Sequence, residues 1–81
     1  MADFDDLINT VRTAIQEDPT ITDPTKIMVS ARKEGPIFRK QTVVQLDGAV
    51  KNAAEVNKIG DIAARKAPNA RIENNLTPPK E

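Results

Sequence analysis

Two hydrophobic periodicities divide this chain. Phe4, Leu7, Ile8, Val11, Ala14 and Ile15 recur at the i, i+3, i+4, i+7 spacing of one helical face. Asp3, Asp5 and Asp6 fall in the first turn, where carboxylates suit the positive end of a helix dipole. Asp18-Pro19 stops the pattern, because a residue before proline disfavours the helical region. The spacing predicts a helix over 3–17. Residues 18–25, DPTITDPT, hold two Asp-Pro steps and three threonines and read as a loop, with Ile21 as its anchor in the core.

The period then changes to two. Ile27, Val29 and Ala31 alternate with Lys26, Met28, Ser30 and Arg32, which predicts a strand with one apolar face. Glu34-Gly35-Pro36 marks a turn. Alternation resumes from Phe38 to Leu46, with Phe38, Thr42, Val44 and Leu46 on one face and Lys40 as the exception. The two strands are expected to form an antiparallel hairpin. Val44, Leu46, Gly48 and Val50 continue the spacing of two, and a helical pattern opens at Ala53. This reads as a strand that loses its regularity at a glycine and passes into a capped helix.

Asn52 followed by Glu55 resembles a capping box, with asparagine in place of serine or threonine. Val56, Ile59, Gly60, Ala63 and Ala67 make the second helical stripe. Asp61 and Arg65 form an i, i+4 pair, Arg65 and Lys66 suit the C-terminal dipole, and Pro68 ends the helix. Gly60 either allows close packing on the sheet or first helix, or is a tolerated glycine costing about 1 kcal/mol. Ala70, Ile72, Asn74 and Leu76 predict a last strand, and 77–81 a tail or linker stub.

The expected architecture is one α+β domain over 1–76, in the order α-β-β-α-β, with a three-stranded mixed sheet and both helices on one face. The third strand should run parallel to the second and is placed most simply beside the first. The other sheet face would carry Met28, Ser30, Val43 and Gln45, a mixture suited to water or a partner.

At 81 residues a core supplies only about 3–5 kcal/mol of net stability without staples. With no cysteine there is no disulfide. With no histidine either, the usual zinc, haem and iron–sulfur sites are excluded. Formal net charge is zero, which argues against a general nucleic-acid binder. The charge is nonetheless segregated: residues 1–25 hold six acids and one base, and residues 26–51 six bases and two acids. One end of the fold is therefore expected to be more basic than the other. No stretch approaches the roughly 20 apolar residues of a membrane span. The acidic start does not read as a signal peptide, so a complete chain of this sequence is expected in the cytoplasm.

With that order in place, the chain resembles the BON domain, a module named for bacterial osmotically inducible and nodulation proteins. Val44-Gln45-Leu46-Asp47-Gly48-Ala49-Val50 fits the family's V-x-L-x-G-x-V signature. The helix ending in Asp18-Pro19, strand residues Ile27 and Val29, Asn52, Glu55, Ile62 and Ala63 of the capped helix, and the closing Ile72-Glu73-Asn74-Asn75-Leu76 fit the rest. The resemblance implies an α+β fold and a non-enzymatic role, either attachment to phospholipid membranes or interaction with a partner protein. For an excised domain it also implies the periplasm.

The stretch from Arg32 to Lys40 is the leading candidate for contact. Arg32, Lys33, Arg39 and Lys40 surround the pair Ile37-Phe38 at an expected hairpin tip. Such cations attract anionic headgroups, and the apolar pair could insert. The plainer alternative is that the cations guard a solvated hairpin edge while Phe38 packs into the core. Asp47-Gly48 reads as a backbone requirement more readily than as a ligand loop. Asn74, inward by alternation, is expected to cap a buried backbone group. Asp3, Asp5 and Asp6 are explained by the dipole without a bound cation.

Catalysis finds little support. Ser30 is the only serine, no lysine sits in an apolar setting, and the isolated glycines build neither G-x-G-x-x-G, a P-loop nor the G-x-x-G of a KH module. No enzyme activity, cofactor, metal or nucleic acid is expected. Peripheral association with an anionic membrane leads, with a protein-binding or self-associating adaptor as the alternative.

Overall fold

A computed structural model describes residues 3–36 and 38–79. The helix α1, Asp3–Gln16, follows the first apolar stripe and buries Val11 and Ile15. Asp18 then turns the chain, its Oδ1 accepting from the Thr20 amide at 2.9 Å and the Thr20 hydroxyl at 2.6 Å. The strand β1, Met28–Glu34, and strand β2, Gln41–Ala49, pair antiparallel with Ala31 opposite Val44. Helix α2 covers Ala53–Lys66, and strand β3, Arg71–Thr77, lies parallel to β2 with Ile72 opposite Val44. The fold is α+β in the order α-β-β-α-β.

Several expectations need correction. The sheet order is β1-β2-β3, so the third strand lies beside the second and not beside the first. The physical reason is burial: Val43, Val44 and Leu46 of β2 are each at most 1 % exposed, and only a central strand is covered on both faces and both edges. The first strand begins two residues late, because Asp23 caps a short 3-10 turn, Pro24–Lys26, by accepting from the Thr25 amide. Ile27 closes that turn through its amide to the Pro24 carbonyl, which takes it out of the strand while leaving its side chain buried. The second strand is displaced in the same direction. It starts at Gln41 and runs through Gly48 to Ala49, and Phe38 lies in the turn.

Gly48 makes that extension possible. Its φ is +129°, and a side chain there would collide with the Lys26 carbonyl. Strand β2 thus presses its end against the 3-10 turn while still pairing Gly48 with Leu76 and Ala49 with Thr77. Thr77, expected in the tail, is the last strand residue, and its carbonyl accepts from Val50 at 3.0 Å.

The core joins Val11 and Ile15 of α1, Val29, Val44, Leu46 and Leu76 of the sheet, and Ile59, Ile62 and Ala63 of α2. Helix α1 packs on β1, α2 packs on β3, and the two helices meet. Val43 belongs to the other sheet face. There it is flanked in register by Arg32 and Arg71, whose aliphatic stems can cover it while their heads stay in water. No described helix is long and apolar enough to cross a membrane.

Candidate interaction surface

The β1–β2 connection begins at Gly35, with φ +113°, and is closed by the Arg39 amide donating to the Pro36 carbonyl at 2.9 Å. This geometry places Phe38 outside the sheet and 94 % exposed, so the expectation that it shares a core face with Val44 and Leu46 is wrong. A phenylalanine type and an even spacing are compatible with a strand. The six residues taken up between Glu34 and Gln41 break the alternation before the strand begins. Ile37 lies outside the described residues.

Lys33, Arg39 and Lys40 are exposed around this turn, and among the described residues none is in an ion pair. Arg32 differs. It points onto the helix-free sheet face, where its Nε donates to Glu34 at 2.7 Å, its Nη1 to Gln45 at 2.6 Å, and its Nη2 to both Glu73 oxygens at 3.1 Å. Gln45 passes the chain on to Asp47 at 2.8 Å. The hydrogen bonds that Arg32 donates to Glu34 and then to Glu73 hold the guanidinium pKa above its ordinary value. One cation therefore ties all three strands together, and the hairpin tip keeps three.

The remaining motif residues are structural. Val44 and Leu46 are buried in the core, with Val50 joining it at the sheet end. Asn52 caps α2, its Oδ1 accepting from the Glu55 amide at 3.0 Å. The Glu55 carboxylate accepts from the Lys51 amide, one residue before the cap, at 3.0 Å, and from the amide and hydroxyl of Thr22, 33 residues back. These bonds, led by the Lys51 amide, hold the Glu55 carboxyl below its ordinary pKa although burial opposes them. Asn74 lies on the helix side of β3 and donates to the Val56 carbonyl of α2 at 2.9 Å, but it is exposed and Val56 only half-buried, so the backbone group it caps is not the buried one expected.

The hairpin end also gathers residues that the sequence pattern did not single out. Leu7 of α1, Thr42 of β2, Lys66 at the end of α2, and Ala67, Pro68, Asn69 and Ala70 after it line a surface pocket of about 180 Å³. The start of α1, the end of α2 and the hairpin base therefore share one end of the fold. Elsewhere, a groove of about 460 Å³ runs between α1 and α2, with Ala14 and Ile62 beside Glu17, Asp18, Arg65 and Lys66. Its charges already have partners in part. Asp18 lies 3.9 Å from Lys58, and its carboxyl is held below the ordinary range chiefly by the Thr20 hydrogen bonds. Among the described residues no three His, Cys, Asp or Glu side chains converge on a metal position.

The fold and surface define a small two-layer α+β domain with a cationic, aromatic-tipped hairpin. Compared with protein-family models, curated proteins and solved structures, the chain matches none.

Proposed function

We propose that the domain is a non-enzymatic binding module that associates peripherally with anionic phospholipid surfaces through the hairpin tip. The observation that carries this reading is Phe38, 94 % exposed among Lys33, Arg39 and Lys40. The plainer reading of those cations placed Phe38 in the core, and the exposed ring favours an apolar environment outside the chain. The V-x-L-x-G-x-V resemblance to BON domains points to the same role.

Magnitudes set the character of the interaction. Three cations near an anionic surface contribute about 1 kcal/mol each. Inserting a phenylalanine contributes about 1.5–3 kcal/mol. The total is comparable to that of a single myristoyl chain, which gives only marginal, reversible binding. One hairpin is thus a weak anchor that salt weakens further.

Co-sedimentation tests the reading. The domain should pellet with vesicles containing phosphatidylserine, less so as salt rises, and not with phosphatidylcholine alone. Lys33→Ser/Arg39→Ser/Lys40→Ser should remain in the supernatant. Equal pelleting of this variant with anionic vesicles would overturn the proposal.

A further inference from the structure

The hairpin carries an exposed apolar knob, Phe38, and the same end of the fold carries a hole. The pocket beside Leu7, Thr42, Ala67, Pro68 and Ala70 holds about 180 Å³. That is below the roughly 300–1,000 Å³ of small-molecule sites but sufficient for an aromatic ring, since a cavity of about 150 Å³ accepts benzene. Its walls are mainly apolar, and Lys66, one of the residues lining it, carries a cation of the kind that ring faces attract. The occupant that fits in size and chemistry is present on every copy of the chain.

We infer that two copies of this domain associate reciprocally, with Phe38 of each entering the pocket at the hairpin base of the other. Charge favours this pairing. Asp5 and Asp6, exposed in the first turn of α1, immediately precede the pocket residue Leu7, whereas Arg39 and Lys40 follow the knob. Placing knob in hole brings the acidic turn of one copy toward the basic tip of the other. Because knob and hole lie at one end, each copy gives and receives the same contact. Such an isologous contact closes at two copies and does not propagate into a filament.

The contact amounts to one ring on each side, so the dimer is weak and concentration-dependent. It also covers the ring assigned above to lipid, so dimer and membrane-bound forms exclude one another. The inference stands on the pocket and the acidic turn, whether or not the hairpin meets lipid.

Sedimentation velocity of the full chain in lipid-free buffer, from about 10 µM to about 1 mM, is the test. The wild type should shift from monomer to dimer across that range. Phe38→Ser, at a fully exposed position, should weaken dimerisation roughly tenfold or more for each ring lost. Ala70→Leu, which fills the hole, should also stay monomeric yet still pellet with anionic vesicles. An equimolar mixture of the two variants should recover part of the dimer, because one intact knob then meets one intact hole. If Ala70→Leu does not melt like the wild type, Asp5→Lys/Asp6→Lys takes its place and should likewise weaken the dimer. A wild type that stays monomeric throughout, or a Phe38→Ser variant that dimerises normally, would overturn the inference. Vesicle pelleting that persists in the former case leaves the membrane proposal standing.

Discussion

Gly60 and Asn74 meet across the helix–sheet interface. A Cβ on residue 60 would stand 2.7 Å from the Asn74 Nδ2, which donates to the Val56 carbonyl, while its Oδ1 accepts from the Leu76 amide at 3.2 Å. The missing side chain on α2 is the space that lets the β3 amide reach the helix backbone.

This relationship predicts a non-additive pair. Gly60→Ala alone should change stability little, because the roughly 1 kcal/mol gained in helix propensity is offset by loss of a hydrogen bond worth about 0.5–1.5 kcal/mol. In an Asn74→Ala background the same substitution should stabilise by about 1 kcal/mol. A double-mutant cycle from urea midpoints reads the coupling, and strict additivity would contradict the packing account.

Gly48→Ala should behave very differently. Here the left-handed backbone and the Lys26 carbonyl leave no room for any side chain, and neither can yield without moving the 3-10 turn or the parallel pairing. A loss of about 3 kcal/mol or more is expected, which is most of the stability of a core this small. Far-ultraviolet circular dichroism should show a largely unfolded protein at room temperature.

Glu55 makes stability depend on pH. Its folded pKa lies below the ordinary 4.5, so the folded state binds a proton less readily than the unfolded chain. The stabilisation is complete above about pH 4.5 and is lost as pH falls through the lower folded value. Glu55→Gln should reduce that acid-side loss in thermal melts. At neutral pH it should cost about 1–3 kcal/mol, because the amides of Lys51 and Thr22 then lose a charged acceptor.

Arg32 separates the sheet from the hairpin. Its guanidinium is committed to Glu34, Gln45 and Glu73, so Arg32→Gln should leave vesicle pelleting close to wild type. A loss as large as that from the triple Lys33, Arg39 and Lys40 variant would show that Arg32 leaves its network to meet lipid.

Much of the fold was legible in the sequence, for local reasons. The α1 stripe and the Asn52–Glu55 cap are set by periodicity and by groups a few residues apart, and alternation puts Asn74 on the helix side of β3, although it is exposed there and not buried. The role of Gly60 also followed from its place in an apolar stripe. What escaped was non-local. Alternation identifies a strand but not its neighbour: it leaves β3 beside β1 as the simplest arrangement, whereas the doubly buried Val43-Val44 pair makes β2 central. The Asp23 cap, two residues from the Thr25 amide it holds, moved the start of β1, and the long turn moved β2 and expelled Phe38. Glu34, two residues after Arg32, could have been paired with it from spacing alone. Glu73 could not, since it reaches Arg32 only through the register of all three strands. The Glu55 contact with Thr22 likewise depends on the tertiary fold.

The exposed Phe38 is the centre of the functional account, and replacing it with tryptophan tests it most directly. The chain has no other tryptophan, so the emission of Phe38→Trp reports that position alone. Phosphatidylserine vesicles at low salt should shift the emission to the blue, and brominated acyl chains should quench it, whereas phosphatidylcholine vesicles should do neither. An emission that stays water-like with anionic vesicles, at protein concentrations where the domain is monomeric, would contradict membrane association through the hairpin.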